Sequence, residues 1–332
     1  MKHVVLRNPF LKGWEYGMLR ELENAIIQHT HAEVIQLPDY GKEKLLEKTQ
    51  HGMRLSAIRK LIPKKELKIE ADVVWCILMG PENMMLDLFK GWKKIKHRIV
   101  YLFDTLPDQY PLIKSLFSSD DFNIKITSFN DAKADLEKLT GKKWHVIEQA
   151  ATEDLFRTVP FENKIIHFSS YGRRWPALHE TLIEFCEQKN LYYDFTTHDA
   201  RHPTAEPELL YRQYAWHLNH SLFTFSWPVE LTNPSRAGHL NPITCRWFEA
   251  ACSGTVAIGR KPANKKFDEY LFSEAVVEID PSEKKEGMMY KLEKIWGMRK
   301  QLYDQANELQ QIHYPKMVWH NRIGRMLELI VV

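Results

Sequence analysis

Short apolar runs alternate with longer amphipathic stretches through the first half of the chain. The apolar runs have the length and composition of buried strands and lie at residues 3–7, 33–37, 71–78, 98–103, 123–129 and 143–148. Between them, helical spacing predicts helices at 15–29, 43–68 with a break at Pro63, 84–89 and 130–140. Because strands and helices alternate, this half is predicted to form a parallel sheet with right-handed crossovers.

The same alternation restarts after residue 163. Strands are predicted at residues 164–168, 191–195, 221–226, 255–258 and 275–280. Helices are predicted at residues 178–188, 209–217, 243–252, 286–313 and 314–332. At 332 residues the chain exceeds what one core usually holds. We therefore predict an α/β chain with domains at 1–155 and 156–315, followed by a closing helix at 316–332.

Composition narrows the class of protein. Hydrophobic residues make up 44% of the chain, which is ample material for a core. The chain has four cysteines, Cys76, Cys186, Cys245 and Cys252, and no Cys-x-x-Cys motif. This spacing argues against a zinc site or a disulfide framework. The sequence shows no run of 18 apolar residues and no signal-peptide layout. We expect a cytoplasmic protein, with peripheral contact at the inner membrane face left open.

Charge is unevenly distributed along the chain. Residues 41–100 contain 14 lysines and arginines against 7 aspartates and glutamates, a net +7, whereas the whole chain carries +3. Such a window would suit an anionic acceptor, a membrane surface or nucleic acid. The alternative is the solvated face of ordinary helices.

The stretch at residues 241–259 carries the most informative local pattern. Asn241 is typical of a helix start, and Gly254 is typical of a helix end. Arg246 and Glu249 lie three residues apart, so they share one face of the predicted helix. The helix N-terminus suits a phosphate, and a carboxylate on the same face could accept hydrogen bonds from ribose hydroxyls. The alternative is an ordinary surface ion pair.

This stretch resembles the donor-binding motif of GT-B glycosyltransferases, most closely that of the CgeB-like group of glycosyltransferase family 1. Three further segments resemble parts of the same family in the same order, at residues 146–156, 165–174 and 313–322. The resemblance implies two Rossmann-like domains whose parallel sheets face a cleft, with the C-terminal helix crossing back to the first domain. It also implies transfer of a sugar from a nucleoside-diphosphate donor to an acceptor hydroxyl, which we expect in the synthesis of surface polysaccharides or glycoconjugates.

The resemblance also implies a set of donor contacts. The residues at the corresponding positions are Arg173, Arg174, Asn233, Arg236, Arg246 and Glu249. For the diphosphate Arg173 is the first choice and Arg174 the second, since one of the two could be a surface charge. One departure affects the chemistry. Many retaining members carry Glu-x7-Glu, whereas Asn241 stands eight residues before Glu249, so retention or inversion is left open.

Two regions of the first half are predicted to contact the acceptor or the reacting atoms. Asp104 follows the strand at 98–103, and ligands of open α/β sheets lie just outside that end of the strands. We predict Asp104 as the general base of an inverting reaction and Asp108 as the second choice; a capping role is the alternative. The loop after the first strand supplies the predicted acceptor contacts, with a packed turn as the alternative reading. They are Gly13, Trp14 and Glu15.

We expect no resident metal or cofactor. Asp-x-Asp, the usual carboxylate motif for a donor-bridging cation, does not occur in the chain. His198, Asp199 and His202 share one loop, but loop histidines are usually solvated, so we do not predict a metal site there. The nucleotide sugar is a co-substrate, and UDP is the weakly favoured nucleotide.

Two other functions remain compatible with the sequence. A DNA-modifying glucosyltransferase of the phage type would use the basic residues at 41–100 to hold phosphates. A catalytically degenerate GT-B protein would bind a nucleotide or a partner without turnover, and the absent first Glu of Glu-x7-Glu supports that alternative.

Overall fold

The computed structural model describes residues 1–9, 11, 13–38, 64–81, 86–172, 174–196, 206–271 and 273–331. Contacts divide the chain into two compact units. The first unit comprises residues 1–12, 19–148 and 322–332, and the second comprises residues 13–18 and 149–321. The sequence-based division instead placed residues 13–18 in the first domain.

A parallel sheet forms the centre of the first unit. The strands of its described residues are β1 His3–Arg7, β2 Glu33–Gln36, β3 Lys65–Glu66, β4 Val73–Leu78, β5 Phe89–Lys90, β6 His97–Leu102, β7 Ile124–Thr127 and β8 His145–Val146. Six of them form one sheet in the order β2-β1-β4-β6-β7-β8, and every neighbouring pair is parallel. Strands β3 and β5 pair separately, also in parallel. All residues of β4 are buried, as expected for a central strand covered on both faces.

The α-helices among the described residues of this half are α1 Gly17–Thr30, α2 Tyr110–Phe117 and α3 Lys133–Thr140. A buried charge cluster ties α1 to the end of β1. The Glu23 carboxylate accepts from Arg7 Nε at 2.7 Å and from Arg20 at 3.0 Å. Burial raises the pKa of Glu23, and the two guanidinium groups oppose that rise.

The second unit repeats the architecture with a five-stranded sheet. Its described strands are β9 Ile166–Ser170, β10 Tyr193–Phe195, β11 Ser221–Ser226, β12 Val256–Gly259 and β13 Val276–Glu278. They are all parallel and follow the order β10-β9-β11-β12-β13. The α-helices in the described residues after β9 are α4 Pro176–Lys189, α5 Pro207–Asn219, α6 Val229–Thr232, α7 Pro234–Ala237, α8 Cys245–Cys252, α9 Phe267–Tyr270, α10 Lys285–Gly297, α11 Arg299–Met317 and α12 Trp319–Val331.

The predicted alternation of strands and helices is confirmed, but several element boundaries differ. The helix predicted at 286–313 is divided at Met298 into α10 and α11. The helix predicted to start at Asn241 begins at Cys245, because Thr244 before it is still extended (ψ 161°). The backbone N–H of Cys245, which the side chain of Thr244 does not cap, donates to Gln149 Oε1 at 2.5 Å. The helix predicted at 314–332 is interrupted at Val318. That residue is extended and forms an isolated parallel bridge with Ala151.

A further difference concerns the helices predicted at 43–68 and 84–89. Residues 39–63 and 82–85 lie outside the described residues. Within the described part, residues 65–66 form β3, and residues 86–90 form a 3-10 turn followed by β5. Pairing with a distant strand therefore outweighs local helical spacing at these positions.

No helix in the described residues is both long enough and apolar enough to cross a membrane.

Candidate functional site

The loop after β9 meets helix α8 at the carboxyl end of the second sheet. Arg246, on the first turn of α8, donates from its guanidinium to the carbonyl oxygen of Tyr171. Gly172 has φ +86°, and a side-chain carbon at this position would lie 2.8 Å from Arg246 Nη1. The backbone N–H of Gly172 donates to Thr196 Oγ1 at 3.0 Å. The missing side chain at Gly172 therefore makes room for the guanidinium beside the turn.

Most donors of Arg246 are not used within the described part of the chain. Its hydrogen bond to Tyr171 uses one of the five N–H groups that a guanidinium carries. Arg246 Nε is buried and has no hydrogen-bond partner there. A guanidinium that is held in place but still has free donors is suited to bind an anion in two-point fashion.

Glu249 lies one turn further along α8 and is buried, with 1% of its surface exposed. Its two carboxylate oxygens accept hydrogen bonds from the hydroxyls of Tyr211 and Tyr214, the second at 2.7 Å. Burial, followed by the charge of Glu249, raises the pKa of both tyrosines well above the ordinary value. Among the described residues, Glu249 forms no ion pair with Arg246, so the surface-pair alternative does not describe this structure. A ribose contact by Glu249 stays a prediction.

A second carboxylate connects β10 to α5 and to the loop after β9. Asp194 Oδ2 accepts from the hydroxyl of Tyr171 at 2.7 Å and lies 2.6 Å from His217 Nδ1. The ring of Tyr171 also packs edge-on against Tyr214, with centroids 5.2 Å apart. Contacts of the Tyr171 side chain with β10 and α5 thus fix the residue whose carbonyl oxygen accepts from Arg246.

Arg174, the second predicted diphosphate contact, lies further along the same loop. Its Nη1 is 3.3 Å from His179 Nε2, and its guanidinium carbon lies 5.3 Å from the centroid of the Phe195 ring. His179 Nδ1 is in turn 2.8 Å from the hydroxyl of Tyr193. Arg174 is therefore half-buried and oriented by the first turns of α4 and by β10.

The loop between β11 and α8 positions Asn233 and Arg236. Asn233 is exposed and precedes α7, where its Oδ1 accepts from the backbone N–H of Arg236 at 3.3 Å and from Ser235 Oγ at 3.1 Å. Asn233 thus caps a short helix, and Arg236 is half-buried within it. Donor contacts by either residue stay predictions.

In the first unit, Asp104 and Asp108 follow β6 at its carboxyl end. Asp104 is half-buried, and its backbone N–H donates to Met79 O at 2.6 Å. Asp108 is exposed in the 3-10 turn Pro107–Gln109. Both residues therefore lie beyond the carboxyl end of β6, which is the end of a parallel sheet where open α/β folds bind ligands. The role of either as the general base stays a prediction.

The residues predicted for acceptor contact share one turn. They are Gly13, Trp14 and Glu15. Glu15 is exposed, whereas the following residues pack on α5, where a side-chain carbon at Gly17 would lie 2.2 Å from Tyr211 Cβ. This packing explains why residues 13–18 group with the second unit.

Some predicted positions lie outside the described residues, namely Arg173, His198, Asp199 and His202. In the part of the chain that the structure describes, no group of three or more His, Cys, Asp or Glu side chains is arranged to hold a metal ion. Metal independence stays a prediction.

Comparisons of sequence find no match to a family model or to a curated protein. Solved structures match over nearly the whole chain. A sucrose-phosphate synthase from Thermosynechococcus elongatus is 12% identical with a TM-score of 0.54, covering 99% of this chain and 98% of that one. A glycosyltransferase from Rickettsia africae is 11% identical with a TM-score of 0.52, covering 99% and 97%.

An α-glucosyltransferase in complex with UDP and a 13-mer DNA containing an HMU base is 10% identical with a TM-score of 0.55, covering 100% of both chains. These similar structures have the GT-B architecture, and the chain described here has the same α/β fold with parallel sheets. Membership of the CgeB-like group stays a prediction.

Sequence reasoning missed the residues that support the two arginines. These supporting side chains are Tyr171, His179, Tyr193, Asp194, Tyr211, Tyr214 and His217. Tyr211 and Tyr214 lie three residues apart on one helix, which is a weak sequence signal for a shared polar partner. His179 carries no comparable signal, because its partners lie on a loop and a strand separate from its helix.

Proposed function

We propose that the protein is a glycosyltransferase that moves a sugar from a nucleoside-diphosphate donor to an acceptor hydroxyl. The observation that carries this proposal is Arg246, held beside Gly172 at the carboxyl end of β9 with donors unused in the described chain. The GT-B fold shared with glycosyltransferases supports it.

The proposed chemistry centres on the leaving diphosphate. Negative charge grows on the diphosphate as its bond to the sugar breaks, and fixed guanidinium groups stabilise such charge without having to reorganise. We assign this role to Arg246 and Arg174, with Arg173 and Arg236 as further contacts. The diphosphate is then neutralised by arginines, so the proposed reaction is metal-independent.

Glu249 receives a different first role in this proposal. Both of its oxygens already accept from buried tyrosines, so a ribose contact would require one hydroxyl to release its oxygen. We propose that Glu249 primarily fixes α8 against α5 and so keeps Arg246 in place. Asp104 is the proposed base if the reaction inverts, with Asp108 second.

The proposed acceptor is a carbohydrate or glycoconjugate, and UDP is the favoured nucleotide. A DNA acceptor is the second candidate, since one of the similar structures is a complex with UDP and DNA. Exposed lysines of the basic window in the described residues favour it: Lys64, Lys65, Lys68, Lys90, Lys93, Lys94 and Lys96. Retention on a DNA column that falls steeply with salt would favour DNA over a carbohydrate acceptor.

The test is a thermal-shift screen with UDP, GDP, ADP, CDP and TDP, followed by a donor-hydrolysis assay with the matching nucleotide sugar. One nucleotide is expected to stabilise the protein by ~2.7 kcal/mol at a hundredfold excess over its dissociation constant. Arg246→Ala should remove most of that shift, whereas Arg212→Ala, an exposed arginine on α5, should not. If no nucleotide stabilises the protein at millimolar concentration, the proposal is wrong, and the partner-binding alternative replaces it.

A further inference from the structure

Arg174 is held by a short hydrogen-bonded relay that reaches back from the loop into α4 and β10. Arg174 Nη1 lies 3.3 Å from His179 Nε2, and His179 Nδ1 lies 2.8 Å from the hydroxyl of Tyr193. Phe195 completes the arrangement, because its ring packs edge-on against His179 at 4.7 Å and lies below the guanidinium at 5.3 Å. Polar and aromatic contacts thus restrain the guanidinium from two sides.

The direction of the relay follows from the chemistry of its ends. A guanidinium can only donate, so His179 Nε2 must present its lone pair to Arg174. The proton of the neutral imidazole then resides on Nδ1 and is donated to the Tyr193 hydroxyl oxygen. Burial and then the adjacent Arg174 charge lower the pKa of His179, while Glu180 opposes them, and the lowered pKa favours this neutral form.

We propose that His179 is a positioning residue that orients Arg174 for the donor diphosphate. The inference rests on the proposed function, in which Arg174 contacts that diphosphate. His179 acts through Arg174 and does not itself touch the donor. In the described residues, the relay uses one guanidinium donor of Arg174, which leaves the others for phosphate oxygens. Restraint before binding reduces the side-chain entropy that the complex would otherwise lose.

The experiment measures the dissociation constant of the best nucleoside diphosphate from the screen by calorimetry, using the full chain. His179→Phe keeps a ring against Phe195 but removes the acceptor, and it should weaken binding about fivefold to tenfold. His179→Gln restores an acceptor for Arg174 and a donor for Tyr193, so it should stay within about twofold of wild type. In turnover, His179→Phe should raise the donor KM and lower kcat, because Arg174 is proposed both to hold the bound diphosphate and to stabilise the charge that grows on it, whereas His179→Gln should leave both close to wild type.

A double-mutant cycle tests whether His179 affects binding through Arg174 or through a general loss of structure. Arg174→Ala should weaken binding at least as much as His179→Phe, and adding His179→Phe to Arg174→Ala should change affinity by less than about twofold. Tyr193→Phe is a second probe, because it frees the tautomer of His179 and should weaken binding by about twofold to threefold without removing the imidazole.

The outcomes are distinct. If Arg174→Ala weakens binding but His179→Phe and Tyr193→Phe do not, the positioning inference is wrong and the proposed function stands. Equal effects of His179→Phe in both Arg174 backgrounds would also overturn it. If the wild-type chain binds a nucleoside diphosphate and Arg174→Ala changes nothing, Arg174 is no donor contact and the inference falls with it. Absence of binding by the wild-type chain would overturn the proposed function itself.

Discussion

Replacing Glu249 should lower the free energy of unfolding, because we assign this residue a structural role ahead of a role in donor binding. Glu249 is 1% exposed, and its carboxylate is the acceptor for two buried hydroxyls, those of Tyr211 and Tyr214. Glu249→Leu removes both acceptors at once. Each buried hydroxyl left unsatisfied costs ~1–3 kcal/mol, so we expect a loss of ~2–6 kcal/mol. Since a folded protein has only ~5–15 kcal/mol of stability, this loss would be severe.

The same reasoning predicts a recovery. Replacing both partners of a buried hydrogen bond by apolar groups is nearly neutral, whereas removing one partner is costly. The triple variant Glu249→Leu, Tyr211→Phe, Tyr214→Phe should therefore regain most of the stability that Glu249→Leu loses. Glu249→Gln should be intermediate, because its amide oxygen can accept from only one of the two hydroxyls in the present geometry.

Urea unfolding followed by circular dichroism measures these differences, and Glu187→Gln on the exposed face of α4 is the matched control. A Glu249→Leu variant within ~0.5 kcal/mol of wild type would refute the reasoning, since that is the range of surface substitutions. So would a triple variant no more stable than Glu249→Leu. The sequence-based expectation is different, namely that Glu249→Ala abolishes donor turnover while the fold stays intact. Stability and turnover measured on the same variants therefore separate the two roles.

Three further predictions follow from other sites. Burial lowers the pKa of Lys164 to about 7, so between pH 7 and 10 the unfolded chain binds more protons than the folded one. The free energy of unfolding should therefore rise with pH across that window, by at most ~1.4 kcal/mol per pH unit. Chemical denaturation at several pH values should show a smaller rise for Lys164→Met than for wild type, and an equal rise in both would contradict this. Gly172→Ala should weaken nucleotide binding about tenfold by displacing Arg246, at a backbone cost of ~1–2 kcal/mol. Gly141→Ala is the control, because Gly141 is also at positive φ but faces open space. It should lose stability by the backbone cost alone and bind the nucleotide like wild type in titration calorimetry, and equal binding by both variants would exclude the displacement. Donor turnover should survive excess EDTA, and loss of activity that manganese restores would show that a metal is required.

The candidate site could be predicted in part, because some of its features are local. The sequence places Arg246 on a helix that follows a loop and precedes a buried strand, and the structure agrees. It did not predict that Glu249 is buried, because the two tyrosines that enclose it lie 38 and 35 residues earlier in the chain. Spacing within a helix identifies a face, but only packing determines whether that face meets solvent or another helix.

The sequence by itself determined the α/β alternation and the parallel sheets. Most of the apolar run predicted at 71–78 and all of that at 221–226 become buried strands, at residues 73–78 and 221–226, because their composition is suited to a sheet covered on both faces. Gly254 adopts φ +58° after α8, as a residue without a side chain does at a helix end.

Tertiary structure decided where elements stop and which polar groups meet. The first N–H of α8 is capped by Gln149, 96 residues earlier, and the last helix is broken where Val318 bridges to Ala151. The relay from Arg174 through His179 to Tyr193 joins three separate elements in the same way. Hydrogen bonds between distant segments have no periodicity along the chain, so they become visible only when the fold brings their donors and acceptors together.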